Sequence, residues 1–378
     1  MIKILLDPQI FNNQTFGGIS RQYTEIYKHL DQNEDVLVQC PIFYTDNIYY
    51  KESELFRGTY QQNQDFKIRY SQIFRNYLPK KLKKKNLKET VKQLKAQTSE
   101  VFIPTYYDLY FLDALGQTPF VLTVYDMIHE LFPKYFAGDK FTASSKKLLL
   151  EKATKIIAIS QNTKDDILRI YPHIEASKIE IVYLASSIKL DDTSPPNLPE
   201  NYLLFVGHRS LYKNFSFFIQ AVAPILTTYP DLVVLCAGGP QFTEEECQLI
   251  GELGIKKQVV QQDFEDVHLA SYYKNANCFI FPSEYEGFGL PVLEAMISQC
   301  PVVLPKHSSF PEVAGEAGVY FELNNAEDLR KKIYGLLKDP ESRQHYIKKG
   351  LEQATKFSWE KTTLGYLNTC KQAIQQSS

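Results

Sequence analysis

Short uninterrupted apolar runs alternate with helix-length amphipathic stretches along nearly the whole chain. In the first half the runs fall at 2–6, 36–39, 101–104, 120–124, 155–159 and 179–183. In the second half they fall at 202–206, 232–237, 258–261, 278–281, 301–304 and 318–321. None shows the apolar–polar alternation of a strand with one wet face, so each is expected to be a strand buried on both sides. Buried strands interleaved with helices predict parallel sheets in doubly wound α/β domains.

The two series are separated by Asp191-Asp192-Thr193-Ser194-Pro195-Pro196-Asn197-Leu198-Pro199, which suits neither a helix nor a central strand. The division is therefore read as a first domain over 1–187, a linker over 188–200 and a second domain over 201–359. A length of 378 residues agrees with two domains. In sheets of this kind ligands bind beyond the carboxyl ends of the strands, and the active site is expected in a cleft between the domains.

Composition narrows the partners. A net charge of −2 gives no global field for nucleic acid. The six cysteines form no C-x-x-C pair, and Cys236 and Cys278 lie within apolar runs, so they are read as buried thiols of a reducing compartment. The apolar N-terminal run is too short for a signal peptide, and no stretch is long enough to span a membrane. A cytoplasmic protein is expected. One segment breaks the α/β pattern. Between Lys80 and Lys95 eight lysines interleave with Leu82, Leu87, Val91 and Leu94. It is either a solvated surface helix or a basic amphipathic helix resting on anionic lipid at the inner face of the cell membrane.

The most informative stretch runs from Phe281 to Met296. A strand ends at Phe281, a loop with Gly287 and Gly289 follows, and a helix opens near Leu290-Pro291. Backbone N–H groups at such a helix start suit a diphosphate, and the glycines let it approach closely. Glu286 and Glu294 flank this anion site. Carboxylates there are tolerable if they bind hydroxyls, which a sugar and a ribose supply. The second stretch is Gly207-His208-Arg209-Ser210-Leu211-Tyr212-Lys213, where two cations four residues apart follow a strand and precede a helix. Taken alone such a pair is usually surface charge. Beside the Glu pair it suits a leaving diphosphate. Two further stretches end first-domain strands. Gly17-Gly18 forms a turn after the first, and Thr123-Val124-Tyr125-Asp126-Met127-Ile128-His129-Glu130 closes another. Tyr106 and Tyr107, with Asp108, sit at the end of a third.

The stretch carrying Glu286 and Glu294 resembles the E-x7-E signature of family 4 glycosyltransferases of the GT-B fold, retaining enzymes. The resemblance is strong over the second domain and confined to loop ends in the first. It implies that Glu286 contacts the donor sugar and Glu294 the ribose, with Gly287, Phe288, Gly289 and Leu290 supplying amides between them. Gly207, Arg209 and Lys213 resemble the family's phosphate-binding segment, and Gly17-Gly18 its glycine-rich loop. Many members place a His directly after the strand where this chain has Tyr125-Asp126. Asp126, His129 or Tyr125 would fill that role, with Tyr106 and Tyr107 on the acceptor side. The Asp-x-Ile-His-Glu form is most similar to bacterial mannosyltransferases of surface-polysaccharide assembly. Ser308-Ser309-Phe310-Pro311-Glu312 resembles a supporting loop, and Phe357-Ser358-Trp359-Glu360 the entry to a last helix, about 360–378, returning to the first domain.

The expected function is sugar transfer from a nucleotide diphosphate donor, first of all GDP-mannose, onto a glycan or lipid-linked acceptor of polysaccharide or lipopolysaccharide biosynthesis. No Asp-x-Asp element is present, so neither metal nor cofactor is expected. The alternatives are a GT-B-type nucleotide-sugar epimerase and a catalytically silent nucleotide-sugar-binding protein.

Overall fold

A computed structural model describes residues 1–53, 55, 77–190, 198–209, 211–263 and 265–377. The chain divides into two compact units. Unit 1 comprises Met1–Ile159, Thr163–Leu184 and Trp359–Ser378, and unit 2 comprises Ala185–Ser358 with Ser160–Asn162. Much of the expected linker, 191–197, lies outside the described residues.

Unit 1 holds β1 (Ile2–Leu6), β2 (Val36–Gln39), β3 (Val101–Ile103), β4 (Val121–Val124), β5 (Lys155–Ala158) and β6 (Ile179–Ile181). Two three-stranded parallel sheets, ordered β2-β1-β3 and β4-β5-β6, are joined by a parallel bridge between Phe102 and Phe120. Unit 2 holds β7 (Tyr202–Val206), β8 (Val233–Ala237), β9 (Val259–Gln262), β10 (Cys278–Ile280), β11 (Val302–Pro305) and β12 (Gly318–Phe321). These form one parallel sheet in the order β12-β11-β10-β7-β8-β9. All twelve apolar runs become strands, because a strand covered by helices on both faces needs apolar side chains at successive positions.

Edge strands depart from that rule, as Glu180 in β6 and Gln261 and Gln262 in β9 do, and β2 does so most plainly. In β2 the side chains alternate buried and exposed, and Leu37 is 39% exposed. β2 is an edge strand with one wet face, and Val36-Leu37-Val38 hides the alternation because an apolar residue occupies the wet position. The thiols depart as well. Cys236, Cys278, Cys300 and Cys370 are buried, but Cys247 is exposed on the helix Glu244–Glu252, and Cys40 is half-buried.

In each unit the order reverses at one point, between β1 and β3 in unit 1 and between β7 and β10 in unit 2. Consecutive connections leave such a point in opposite directions, which opens a crevice at the carboxyl ends of the strands. Unit 2 is built on a large apolar core of Phe205, Phe215, Phe218, Ile280, Val303 and their neighbours. Unit 1 is completed by the helix Trp359–Ser377, which packs on the helix Gly18–Asp31 and on β5. Its Tyr366 is fully buried, accepts from Gln22 Nε2 at 2.9 Å and shares a 2.9 Å hydrogen bond with Thr123 Oγ1. The expected last helix is present.

The lysine-rich segment lies in one helix, Tyr77–Lys95. Asn86, Thr90 and Leu94 form its buried side, with Leu82, Leu87 and Val91 half-buried. Asn86 Nδ2 donates to Tyr44 O at 2.8 Å and Asn12 Oδ1 at 2.7 Å, while its Oδ1 accepts from Phe43 N at 2.7 Å. Lys83 pairs with Asp46 at 3.1 Å. The apolar side of the helix is thus spent on the protein, which corrects the amphipathic lipid-resting form. Lys80, Lys81, Lys84, Lys85, Lys88, Lys92 and Lys95 remain exposed.

Candidate functional site at the reversal point of unit 2

Four loops follow the strand ends around the reversal point. After β7, Gly207 adopts φ +94, and a single turn, Leu211–Lys213, leads into the helix Phe215–Thr228. After β8, Gly238 and Gly239 both have positive φ, and a Cβ on Gly239 would lie 2.6 Å from the Gly207 carbonyl oxygen. Only glycine allows these two loops to approach so closely. After β10, the chain runs through Glu286 to Gly289, whose left-handed backbone (φ +92) caps the helix Leu290–Ile297. Pro291 occupies the first turn of that helix, where no amide partner is lost. In that turn Pro291 has no N–H and Val292 N donates to the Gly289 carbonyl at 2.9 Å, which leaves the Leu290 amide at the helix start.

The loop after β11 holds the Glu286 loop in place. Ser308, with φ +55, has its hydroxyl on the Glu286 backbone, accepting from N at 3.1 Å and donating to O at 2.7 Å. The buried Ser309 hydroxyl reaches the carbonyls of Glu286 and Phe288, both at 2.9 Å. The supporting role expected of Ser308-Ser309 is this clamp.

Lys213 and Glu286, 73 positions apart, meet at the reversal point with Nζ–Oε1 2.5 Å. Their side chains are 16% and 14% exposed, so the pair is largely shielded from solvent yet open on one side. Lys213 also lies over the Phe281 ring at 4.8 Å. Arg209 does not share this point. It is sandwiched between Phe242 and Phe215, its Nε donates to Glu246 Oε1 at 3.0 Å, and its Nη2 donates to the Pro240 carbonyl. The two expected cations thus stand in unlike surroundings. Lys213 faces the Glu286 carboxylate, and the charge of Arg209 is matched by Glu246. Arg209 Nη1 alone is buried without a protein partner.

Glu294 is half-buried, and the fully buried Tyr273 hydroxyl donates to its Oε2 at 3.4 Å. Burial, with the nearby Glu294 charge, keeps that phenol protonated far above its usual range. The Phe288 ring is buried edge-on against Phe357 at 5.7 Å, in keeping with the backbone part expected of this residue. It contributes backbone only. Gly287 and Leu290 are half-buried beside it.

In unit 1 the expected acceptor residues are mostly internal. Tyr125 and Tyr107 are buried; the Tyr125 hydroxyl donates to Thr105 O at 3.0 Å and its amide donates to the Tyr107 hydroxyl at 3.1 Å. They are corrected to supports of the loops, because their polar ends are already satisfied inside the unit. Tyr106 is half-buried and stacks near Tyr125 at 6.4 Å. Gly17 caps the helix Gly18–Asp31, its carbonyl accepting from Ser20 Oγ at 3.0 Å, and a Cβ on it would meet the Gln14 side chain. Asp126 Oδ1 accepts from Ile128 N at 3.0 Å. His129 Nε2 lies 3.6 Å from Asp139, while its Nδ1 is buried without a protein partner. Among the described residues no group of three or more His, Cys, Asp and Glu is placed to hold a metal ion, and no helix is long and apolar enough to cross a membrane.

These four loops lie within the part of the chain, residues 187–353, that matches the sequence profile of the family described as glycosyl transferases group 1. The O-antigen chain mannosyltransferase B of Escherichia coli is 30% identical over 269 residues, covering 66% of this chain and 70% of that protein. The chain belongs to the group 1 glycosyl transferases. The O-antigen chain mannosyltransferase RfbU of Salmonella typhimurium is 25% identical over 224 residues, 58% of this chain and 62% of that protein. Among solved structures, a sucrose-phosphate synthase from Thermosynechococcus elongatus superposes with a TM-score of 0.70 at 19% identity, over the whole of both chains. Anabaena HepE, in complex with UDP and glucose, superposes with a TM-score of 0.68 at 18% identity, over 98% of this chain and all of that one. The fold is GT-B, with two Rossmann-like domains, and the protein is a glycosyltransferase.

Five residues around the loops of this glycosyltransferase were not singled out from the sequence. Gly238-Gly239, directly after β8, had a local signal in the form of a glycine pair closing a strand. Glu246 had none, since it stands 37 positions from Arg209. Lys146 and Asp7, both fully buried, resemble ordinary charges at a helix and at a strand end.

Proposed function

We propose that unit 2 binds the nucleoside diphosphate sugar and unit 1 the acceptor, with GDP-mannose as donor and a glycan or lipid-linked glycan of surface-polysaccharide assembly as acceptor. The Lys213–Glu286 contact at the reversal point carries this reading. Without ligand, the two charges satisfy one another. A donor diphosphate takes over the ammonium, and Glu286 is released toward the sugar hydroxyls. Lys213 then faces the oxygen on which charge grows as the glycosidic bond breaks, where a preplaced cation counts most. The amides of the Gly287–Leu290 loop take the remaining phosphate charge, and Glu294 takes the ribose. Arg209, neutralised by Glu246, shapes the β7 and β8 loops. The reaction retains anomeric configuration by attack on the face the diphosphate leaves, and it needs no divalent metal. The mannosyltransferase names of the E. coli and Salmonella relatives favour the mannose donor.

The test is a thermal-shift panel of nucleotide sugars followed by product analysis. GDP-mannose is expected to give the largest shift, and this shift should be lost in Lys213→Ala. A larger shift with a UDP-sugar would reject the mannose donor. Epimerised donor appearing without an acceptor would reject transfer. A transfer rate that collapses in EDTA and returns with manganese would reject the metal-free chemistry.

The exposed lysines of the helix Tyr77–Lys95 favour peripheral, purely electrostatic association with anionic lipid on the cytoplasmic face, at about 1 kcal/mol per basic residue near the surface. Lys81, Lys84 and Lys88 changed together to Glu should abolish sedimentation with phosphatidylglycerol vesicles at low salt. Equal recovery in the supernatant with and without that lipid would remove this part of the proposal.

A further inference from the structure

At the carboxyl end of β4 stands a charged group that the reaction scheme above does not use. Lys146, on the helix Lys140–Lys152, has no exposed surface. Its Nζ donates to the Asp126 carbonyl at 2.9 Å and to Glu130 Oε2 at 3.0 Å, and lies 3.8 Å from Asp126 Oδ1. The Tyr107 ring lies beneath it at 5.2 Å. A fully buried ammonium is retained only where fixed partners compensate its desolvation. Here the partners are both ends of one short turn, Asp126 and Glu130.

The turn is arranged asymmetrically. Glu130 is 6% exposed, and its Oε1 is buried with no protein donor. The Asp126 side chain is 33% exposed. Its Oδ1 is occupied by Ile128 N and faces Lys146, whereas no protein donor among the described residues reaches Oδ2. Lys146 and the Ile128 amide therefore hold one oxygen of Asp126 and leave the other at the surface. His129 and Asp139 complete the charged surroundings, 3.6 Å apart. Asp139 is itself fixed as the cap of the helix that carries Lys146, accepting from Thr142 Oγ1 at 2.6 Å and Thr142 N at 3.0 Å.

We propose that Lys146 is the positioning residue of unit 1, fixing the Asp126–Glu130 turn so that Asp126 Oδ2 accepts a hydrogen bond from a hydroxyl of the acceptor sugar. The proposal rests on the reading of unit 1 as the acceptor unit. Lys146 does not touch the sugar; it sets the orientation of the carboxylate that does.

The experiment uses the full chain, the nucleotide sugar selected by the thermal-shift panel, and mannotriose as the acceptor probe. Lys146→Met keeps the length of the side chain and removes the charge. It should lower kcat/KM for mannotriose by about 10²-fold, the scale of a misplaced contact group, while the thermal shift given by the nucleotide sugar stays as in the wild type. Asp126→Asn should fall to a similar level. Because Lys146→Met strands the Glu130 charge, it is paired with Lys146→Met/Glu130→Gln, which restores neutrality. The double variant should recover the melting temperature but not the transfer rate. Recovery of both would overturn the proposal, since Lys146 would then be only a counter-ion for fold stability. Normal mannotriose kinetics in Lys146→Met, or a nucleotide-sugar shift lost alongside transfer, would overturn it equally. A wild-type protein that shifts with no nucleotide refutes the donor reading instead, so the two failures are told apart.

Discussion

Each unit has one reversal point, and the two are filled differently. In unit 2 the point between β7 and β10 presents Lys213 and Glu286, paired with each other and open on one side. In unit 1 the point between β1 and β3 is occupied by protein. Asp7 is fully buried there and accepts from Gln9 N at 3.0 Å, Thr105 N at 3.2 Å and Tyr110 Oη at 2.5 Å. The same topology thus leaves a partly exposed ion pair in one unit and an internal brace in the other. The exposed charge of unit 1 that the proposal uses lies instead at the end of β4, with Asp126 and Lys146. A strand order tells where a crevice can form; the side chains decide whether it is left open.

The sharpest way to break this comparison is to disable both points. Lys213→Ala and Glu286→Ala should each reduce kcat for sugar transfer by about 10²–10³-fold, or roughly 3–4 kcal/mol of activation free energy. Their combination should be far less than additive, because the residues act as a pair. Tyr110→Phe, at the other point, should leave kcat within about twofold and lower stability by about 1 kcal/mol. A kcat effect of Tyr110→Phe matching that of Lys213→Ala would erase the distinction.

Titration separates the two points next. Burial raises the Asp7 carboxyl from its ordinary 3.8 to about 6, opposed by its hydrogen bond from Tyr110. The folded protein therefore takes up this proton near pH 6 and the unfolded chain only near 3.8. Between those values folding is favoured by falling pH, by up to about 3 kcal/mol over the whole interval. Asp7→Asn removes this contribution. The difference in melting temperature between wild type and variant should move in favour of the wild type as pH falls from 7 to 5. A pH-independent difference would show that Asp7 is not buried as an acid.

A smaller effect tests the clamp behind the open point. Gly289 has φ +92, and a Cβ there would sit 3.4 Å from the Phe310 ring. Gly289→Ala should cost about 1–2 kcal/mol of stability in a denaturant melt and reduce transfer with it. The smallest effect belongs to Lys84→Ala, an exposed change on the helix Tyr77–Lys95 expected to fall within about 0.5 kcal/mol in the same melt.

The strands and the loop from Phe281 to Leu290 were legible because their signals are local. A doubly covered strand must be apolar at every position, and a strand–glycine–helix turn is written in consecutive residues. What escaped was relational. Nothing near Arg209 announces that Glu246 will neutralise it, and Lys146 stands beside Lys147 with no local mark of which one turns inward. Tyr107 and Tyr125 were placed at the correct strand ends, but pattern alone cannot tell a ring offered to a ligand from one whose hydroxyl is already engaged. Of the two readings of the lysine helix its packing fits the surface helix, but the residues that pack escaped in the same way. Its buried side is organised by Asn86 and Thr90, polar residues that a hydropathy pattern assigns to water.

The helix Trp359–Ser377 has a consequence for the order of synthesis. Tyr366 hydrogen-bonds to Gln22 across 344 positions and to Thr123 across 243. A ribosome delivers the strands of unit 1 first, but the helix that covers them comes only after all of 185–358 has emerged. Unit 2 is nearly contiguous in the chain, and its last helix, Pro340–Ala354, ends just before Trp359. In vectorial synthesis unit 1 therefore cannot close its core until both ends of the chain have been made, and the side of β5 that the helix Trp359–Ser377 covers stays open until then.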